Sequence, residues 1–448
     1  MLIRFVVRNF LSFGKETEFN MLPSPRYTRM NAHKYELPQF SVLKLASLYG
    51  ANAAGKSNLI KSIGYLQDIV RDEALPINLS DLEFRFKSSE SGSVLLGTEF
   101  SINNVNLCYA IEILDNRIST EELIKTSVKS TEDSLVFRRT TSAEGKTKLE
   151  LPISSNENER TKLLKEVIEV NLSTPEKPVL KLLGKLREEK FAEIGYAIDW
   201  FENKLQLISP LSKPLGLAQR IDSNPEFKSY AQNILGSFNV GITTLNIKKT
   251  PVLEFFGEEN KDEGLAIIKN LKETKDQIIS WKTSRGESVD IIKEKDNFYV
   301  KQIRFLHDGS HDDTVEFKMD EESDGTIRLL DFIPAFKDLI TKDKVYIIDE
   351  IERSVHPLLI KELVRKYSED ATTKGQLIFT THESNLLDQD IFRQDEIWFA
   401  EKNPSGSTEL YSLSDFKEHS TIDIRKGYLN GRYGSIPFLA NLTDLNWH

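Results

Sequence analysis

Apolar side chains change their spacing within the first seventy residues of the chain. Residues 41–49, SVLKLASLY, form a short and mostly apolar run that predicts a buried strand. Further along, apolar positions recur every three or four residues, at Leu59, Ile63, Leu66 and Val70, which predicts an amphipathic helix. The segment between them therefore turns from a strand into a helix.

Two further apolar runs, late in the chain, also have the character of buried strands. Residues 345–348 form one run and are followed by Asp349 and Glu350. Residues 377–379 form the other and are followed by two threonines and His382. Because buried parallel strands are nearly continuous in apolar side chains, these runs and the first strand predict a mainly parallel sheet.

The middle of the chain has two different patterns. Residues 82–125 alternate apolar and polar positions, with Asn and Asp pairs at 103–104 and 115–116, and predict an antiparallel meander with turns at those pairs. From about 160 to 235 the pattern is typical of helices. The apolar face of this helical stretch consists of Phe191, Ile194, Ile198, Phe201 and Leu205.

The turn after the first strand fits the phosphate-loop pattern G-x-x-x-x-G-K-[ST]. Backbone N–H groups of such a loop and the positive end of the next helix surround phosphates, the lysine reaches the outer phosphates and the serine hydroxyl holds Mg²⁺. The alternative is a plain glycine turn with a solvated lysine. The candidate nucleotide-binding residues are Gly50, Asn52, Gly55, Lys56, Ser57 and Asn58.

A phosphate loop requires an acidic residue that holds the metal, and the run at 345–348 supplies two candidates. Asp349 at the end of the strand would complete the Mg²⁺ shell with Ser57, and Glu350 would polarise the attacking water. The same pair could instead cap a helix, because a helical apolar pattern follows. The presence of the Gly50 loop favours the functional interpretation.

Two weaker signals gain support only from their order along the chain. A histidine after a strand, such as His382, is more often structural than catalytic. Ser323 and Gly325 precede a helical pattern and form either an ordinary N-cap or an anion site. Both positions match the order of elements expected around a phosphate loop and an acidic strand.

Composition limits the cellular context. The chain has 448 residues, 39% of them hydrophobic, which allows a large core. It contains no apolar run of about 18 residues and no readable secretory signal, so we expect a cytoplasmic protein without a membrane span. Cys108 is the only cysteine, which excludes an intramolecular disulfide and leaves no zinc-ligand spacing.

The charge balance bears on nucleic-acid binding. The net charge is −10, from 59 basic and 69 acidic side chains, and argues against a protein that coats nucleic acid through its overall charge. Lys248-Lys249 and residues 282–288 are the nearest approach to a basic patch, and neither stretch has interleaved aromatic residues. Contact with DNA therefore stays an open question.

The order of motifs resembles that of the SMC- and RecF-related ABC ATPases. The opening turn at 9–13, NFLSF, and the segment 349–357, DEIERSVHP, resemble their N-terminal turn and their extended acidic strand with D-loop. The tail at 426–437, KGYLNGRYGSIP, resembles more closely the "AAA family ATPase" group that includes RloA, AbiL-type proteins and AriA of the PARIS anti-phage system. The resemblance covers residues 1–70 and 297–440.

This resemblance implies an α/β fold: an ABC-type P-loop ATPase head with a mainly parallel sheet, an antiparallel β-lobe and a short helical insertion lobe. Residues 1–150 and 297–448 would form the head, and 151–296 the insertion or partner lobe. The family's linking glutamine is not identifiable, and Gln67 on the loop helix is a poor candidate. The signature also departs from the transporter pattern, with Ser-Asp-Gly in place of Ser-Gly-Gly.

The resemblance also implies ATP and Mg²⁺ as cofactors and a homodimer or higher homo-oligomer with ATP between two heads. His382 would read the γ-phosphate, and Ser323 with Gly325 would serve the γ-phosphate bound to the opposite subunit. The implied function is the sensor or scaffold of an abortive-infection system that responds to a phage protein. It would hold and release a separate effector, a TOPRIM-type nuclease.

Two other functions stay open at this stage. The chain could be a DNA-repair or chromosome-maintenance ATPase that clamps DNA directly, as RecF-like proteins do. It could also power a transporter, which the tail and the signature disfavour. Salt-dependent DNA affinity would separate the clamp from the sensor.

Overall fold

The computed structural model describes residues 1–86, 92–127, 133–152, 166–185, 192–273, 278–283, 287–309, 313–416 and 423–434. The first ten strands are β1 (Leu2–Arg8), β2 (Thr17–Asn20), β3 (Lys34–Glu36), β4 (Ser41–Leu43), β5 (Leu45–Tyr49), β6 (Val94–Ile102), β7 (Val105–Leu114), β8 (Arg117–Lys125), β9 (Ser134–Thr141) and β10 (Thr147–Glu150). The others are β11 (Leu205–Ile208), β12 (Ile242–Pro251), β13 (Ile278–Lys282), β14 (Ser288–Glu294), β15 (Asn297–Asp308), β16 (Thr314–Lys318), β17 (Val345–Ile348), β18 (Gln376–Thr380), β19 (Ile397–Lys402) and β20 (Thr408–Ser412).

The α-helices are distributed along the whole described chain. They are Lys56–Asp72, Leu79–Leu82, Leu180–Gly184, Ala192–Asp199, Leu217–Ser223, Pro225–Ser237, Val252–Phe256, Lys261–Glu273, Asp324–Thr341, Pro357–Glu369 and Ile424–Leu429. No helix in these described ranges has the length and apolar character needed to cross a membrane.

The first of two compact units consists of Met1–Ser209, Thr341–Ile351 and Val364–His448. Its six-stranded sheet has the order β11-β17-β18-β5-β19-β20, in which only the β19–β20 pair is antiparallel. Strands β17, β18 and β5 are neighbours and run in the same direction, so their carboxyl ends lie at one edge. This edge is where the phosphate loop and both candidate catalytic residues follow the strands.

A seven-stranded antiparallel sheet completes the first unit, in the order β10-β9-β8-β7-β6-β1-β2. The β6–β7 and β7–β8 hairpins turn at Asn103-Asn104 and Asp115-Asn116, and all four residues have positive φ. Two-residue hairpin turns require this left-handed backbone, which Asn and Asp tolerate better than most residues. Both turn predictions are confirmed, and so is the α/β fold with a mainly parallel sheet and an antiparallel lobe.

One hydrophobic core joins both sheets to the helix Lys56–Asp72. Leu59, Ile63, Leu66 and Val70 are buried in this core, as the helical spacing predicts. The helix that follows the phosphate loop is therefore packed against the core along its whole length.

The second unit consists of Pro210–Ile340 and Glu352–Leu363. It is not purely helical, because it contains an antiparallel sheet in the order β12-β15-β14-β13, with β16 also paired to β15. Its bounds differ from the predicted insertion at 151–296. No local pattern predicted this sheet, because β12 pairs with β15, which lies 48 to 65 residues further along the chain.

Two local predictions need correction. The run at 41–49 forms two strands, β4 and β5, because Lys44 interrupts it and the two strands join different sheets. The predicted helical face at 191–205 does not extend to Leu205, which begins β11 and pairs with β17. Its first member, Phe191, lies outside the described residues.

Candidate functional site

The phosphate loop connects β5 to the helix that starts at Lys56. Gly55 has φ 113°, and a Cβ there would lie 2.2 Å from Oγ1 of Thr408, so only glycine fits. A Cβ on Gly50 would lie 2.5 Å from the carbonyl oxygen of Ala400. The two glycines of the motif are therefore required both by backbone conformation and by close packing.

Lys56 is buried and its ammonium group folds back over the loop. Nζ donates to the carbonyl oxygens of Gly50 at 2.7 Å and Ala51 at 3.1 Å, and lies 3.3 Å from Nδ1 of His382. A cation held beside a loop of backbone N–H groups is suitably placed for an anionic ligand. The lysine is therefore a member of the site and not a solvated surface residue.

Asp349 and Ser57 are brought together although they lie far apart in the sequence. Oγ of Ser57 donates to Oδ1 of Asp349 at 3.1 Å, and Oγ1 of Thr380 donates to the same oxygen at 2.6 Å. Thr380 also accepts a hydrogen bond of 2.8 Å from the backbone N–H of Glu350. Thr380, at the end of β18, thus orients both acidic residues that follow β17.

Glu350 and His382 line one cavity with the loop. The cavity has a volume of about 280 Å³, and its lining consists of residues 52–58, Glu350 and His382. The helix predicted after the acidic pair starts only at Pro357, so neither Asp349 nor Glu350 caps it. The N-cap alternative for this pair is wrong.

Thr408 supports the phosphate loop from beneath, and no sequence pattern predicted this contact. Oγ1 of Thr408, in β20, contacts Oγ of Ser12 at 2.8 Å and the carbonyl oxygen of Ala54 at 2.9 Å. The backbone N–H of Thr408 donates to the carbonyl oxygen of Ser12 at 2.7 Å. Ser12 belongs to the opening turn that resembles the ABC family, but nothing in the sequence pairs that turn with Thr408.

Ser323 and Gly325 belong to the second unit, at the start of the helix Asp324–Thr341. Oγ of Ser323 accepts from the backbone N–H of Thr326 at 3.1 Å and so caps the helix. A Cβ on Gly325 would lie 2.7 Å from the carbonyl oxygen of Ser354, so packing inside this unit already requires glycine there. The predicted role of both residues at a partner's phosphate stays a prediction.

Gln67 has a structural role. Its Nε2 donates to the carbonyl oxygens of Phe201 at 2.7 Å and Leu205 at 2.9 Å, and the side chain is buried. These bonds tie the loop helix to the segment that leads into β11. A buried side chain used in this way is unsuited to link a nucleotide to another lobe.

Solved structures similar to this chain include SMC head domains. It is 13% identical to the SMC head domain from Thermotoga maritima, covering 92% of this chain and 98% of that chain, with a TM-score of 0.38. It is also 13% identical to the SMC head bound to the C-winged helix domain of ScpA, covering 92% of this chain and 97% of that chain, with a TM-score of 0.39. A third structure is the SMC head with an extended coiled coil bound to the C-terminal domain of ScpA, from Pyrococcus furiosus. The identity is 13%, the alignment covers 96% of this chain and 98% of that chain, and the TM-score is 0.38. TM-scores of this size support no conclusion about function.

No curated protein matches the chain. A protein-family model does match, over residues 45–388, which is more than half of the chain and includes the loop, the acidic pair and His382. The chain therefore belongs to the family described as "AAA domain, putative AbiEii toxin, Type IV TA system".

Proposed function

We propose that this protein binds ATP with Mg²⁺ at the phosphate loop and hydrolyses it. The observation that carries this proposal is the single cavity in which residues 52–58 meet Glu350 and His382, from the ends of two other strands. Three separate segments converge on it at the carboxyl edge of the parallel sheet. Ligands of open α/β sheets bind at this edge.

The donor set fits a triphosphate with its metal. The loop and the start of the 17-residue helix Lys56–Asp72 offer backbone N–H groups and a positive helix end to phosphate oxygens. Ser57 and Asp349 place a hydroxyl and a carboxylate 3.1 Å apart, and Mg²⁺ takes few protein oxygens beside phosphates and waters. Ser57 and Asp349 would hold Mg²⁺, which would supply positive charge beside the phosphates.

Glu350 is our candidate for the group that accepts a proton from the attacking water. It lines the cavity together with the loop. Its backbone is left-handed, with φ 52°, and its N–H group donates to Oγ1 of Thr380. His382 lies against Lys56 and is suited to contact the terminal phosphate. Lys56, once its carbonyl partners are replaced, would neutralise charge on that phosphate.

The test is the Mg²⁺-dependent ATP turnover and ATP affinity of the purified chain with Lys56→Ala. We expect loss of ATP binding, because no other cation in the described loop replaces the ammonium group. Lys61→Ala is the matched control, since Lys61 is an exposed lysine of the same helix. Unchanged affinity and turnover in Lys56→Ala would overturn the proposal.

We further propose that turnover requires two copies of the chain, with Ser323 and Gly325 of one copy completing the phosphate site of the other. The support is the capped helix start, where the backbone N–H groups of Gly325 and its neighbours form an anion-binding end. Ser323→Arg should block turnover and leave ATP affinity of the monomer nearly intact. A loss of affinity instead would place Ser323 in a different role.

For the biological role we propose a sensor or scaffold in anti-phage defence that holds and releases a separate nuclease, as in the RloA, AbiL and AriA group. The family description, which names the AbiEii toxin of a type IV toxin–antitoxin system, supports a defence context. Expression of the chain with its neighbouring gene should protect cells against phage, and Lys56→Ala should abolish protection. Absence of protection, or protection that survives Lys56→Ala, would refute this role.

A further inference from the structure

A large cleft opens in the second unit on one face of the β12–β16 sheet. Its volume is about 760 Å³, within the range of small-ligand sites. The floor is formed by polar side chains of β12 and β15 and by Glu287, which directly precedes β14, and one wall by the helix Val252–Phe256. Nothing in the proposed ATPase function uses this cleft.

The floor of the cleft is a preorganised set of donors and acceptors. Glu287 accepts from Nε2 of Gln302 at 3.0 Å and from Nη1 of Arg304 at 2.9 Å, and all three side chains are buried. Oε1 of Gln302 and Nη2 of Arg304 have no hydrogen-bond partner among the described residues. The Glu287 carboxylate therefore orients one acceptor and one donor without consuming them.

Aromatic rings form the apolar part of the lining. Trp281 and Phe256 make an edge-to-face contact with ring centroids 6.3 Å apart, and Phe255 contacts Phe256 in the same manner at 5.4 Å. Phe256 is buried, whereas Trp281 and Phe255 are half-buried beside the polar floor. A planar ligand could stack on these rings while its edge reaches Gln302 and Arg304.

Three exposed lysines surround this floor. Lys248, Lys282 and Lys318 line the cleft, and none of them makes an ion pair with a described residue. Two of them come from the basic stretches Lys248-Lys249 and 282–288. The fold thus brings Lys248 and Lys282 to one cleft and supplies the aromatic residues that neither stretch contains.

Acidic groups limit the charge that the cleft can accept. Glu254, Glu263 and Asp320 also line it, so its acidic side chains balance its basic ones. A track for a long polyanion would need an excess of positive charge. A ligand with one planar base and one or two phosphate charges suits this balance better.

We propose that the cleft binds one nucleotide unit, with the base stacked on Trp281, its edge on Gln302 and Arg304, and its phosphate near Lys248 and Lys282. The unit is either a free nucleoside monophosphate or an unpaired nucleotide of a single strand. Its binding is independent of the phosphate loop. This site can therefore exist whether or not the loop hydrolyses ATP.

The test uses the full chain with Lys56→Ala, without Mg²⁺, to suppress binding at the loop. AMP is titrated by calorimetry, and a labelled single-stranded thymidine hexanucleotide by fluorescence anisotropy at low salt. Trp281→Leu and Lys248→Ala should each weaken binding about fivefold or more. Lys293→Ala, an exposed lysine of β14 outside the cleft, should change affinity less than about twofold.

The two probes separate the two sources of the nucleotide. Binding of AMP alone supports a free mononucleotide, and binding of the hexanucleotide alone supports a strand. Absence of both, at millimolar AMP and at low salt, overturns the proposal, as does binding that neither cleft variant weakens.

A second measurement does not depend on the folding of variants. Irradiation of the unsubstituted chain with 8-azido-AMP, without Mg²⁺, should label the peptide that contains Trp281 or Phe255. Labelling confined to the phosphate loop, or to peptides outside the cleft, would also overturn the proposal.

Discussion

Two groups of buried ionic side chains in the first unit differ in what their polar atoms contact. In the antiparallel sheet, Glu121 lies opposite Arg139 across neighbouring strands. Its carboxylate accepts from the hydroxyl of Tyr109 at 3.0 Å and from the backbone N–H groups of Val179 at 2.7 Å and Leu180 at 3.0 Å. The side chains of Glu121, Arg139 and Tyr109 are fully buried, so these contacts are internal to the fold.

At the carboxyl edge of the parallel sheet, Lys56 and Asp349 are almost as deeply buried. Their neighbours Ser57, Glu350 and His382, however, line a cavity of about 280 Å³. Burial of charge is therefore a poor marker of function in this protein. Convergence of polar groups from separate strands on a shared cavity distinguishes the candidate site from the structural group.

The difference should be greatest for ATP turnover in Glu350→Gln. Loss of the proton acceptor should reduce turnover by about 10² to 10⁴-fold, while ATP still binds and the ATP-bound dimer accumulates. The free energy of unfolding should change by less than about 0.5 kcal/mol, because glutamine keeps the size of the side chain and Glu350 is only half-buried. Steady-state turnover, size-exclusion chromatography with ATP and denaturant unfolding measure the three quantities.

A Glu350→Gln protein that retained full turnover would show that Glu350 is not the proton acceptor, and the candidate site would then no longer differ in function from the group around Glu121. Glu362→Gln is a control for the loss of a carboxylate, since Glu362 lies on the helix Pro357–Glu369 and outside the lining of the cavity. We expect its turnover to be close to that of the wild type.

The opposite behaviour is expected for Glu121→Ala. This change leaves the Arg139 guanidinium and two backbone N–H groups buried without their carboxylate partner. Such a loss costs about 3–5 kcal/mol of unfolding free energy. Denaturant unfolding measures it, and ATP affinity per folded molecule should be unchanged.

A loss below about 1 kcal/mol would show that Glu121 is not a structural anchor and would weaken the comparison. Glu122→Ala is the matched control in the same strand. Glu122 pairs with Arg138 at the partly exposed face, so its loss should cost less than about 1 kcal/mol.

Sequence patterns predicted those parts of the molecule that depend on neighbouring residues. The phosphate loop and the turn at Asn103-Asn104 were predictable because a few consecutive residues determine their backbone conformation. Strand β11 was not, because Leu205 continues a helical spacing locally while its partner β17 lies about 140 residues away. The sheet of the second unit was not predicted for the same reason, since β12 pairs with β15 across 48 to 65 residues.

The candidate site divides along the same line. Lys56, Ser57, Asp349 and Glu350 follow from motifs, and the structure brings all four together. Thr380 does not, because its role arises only where β18 lies beside β17. A threonine in a sequence does not reveal that it orients two acidic residues until its neighbours in space are known.

Thr408→Val tests whether the contact beneath the loop serves nucleotide binding or only the stability of the fold. The change keeps the shape of the side chain and removes the hydroxyl that contacts Ser12 and the carbonyl oxygen of Ala54. Loss of one such bond costs about 0.5–1.5 kcal/mol. If the bond mainly stabilises the loop in the conformation that binds ATP, ATP affinity should fall about two- to tenfold. Isothermal titration with ATP and denaturant unfolding give the two values.

A Thr408→Val protein with reduced stability and unchanged ATP affinity would assign the contact to the fold alone. Thr141→Val serves as a control. Thr141 lies in β9, and its buried hydroxyl has no hydrogen-bond partner among the described residues, so this change should alter neither value appreciably.

The smallest effect concerns pH and belongs to the structural group. Burial raises the pKa of the Glu121 carboxyl above its ordinary value of 4.5, although Arg139 and the hydrogen bonds it accepts oppose this shift. The folded protein therefore binds this proton more tightly than the unfolded chain does. The resulting stability is fully present below about pH 4.5 and is lost as the pH rises through the folded pKa. Glu121→Gln cannot titrate, so the unfolding free energy of the wild type minus that of the variant should increase on acidification from neutral pH. A difference that decreases instead would show that Arg139 and the two backbone N–H groups outweigh burial, so that the Glu121 carboxyl is held in its charged form.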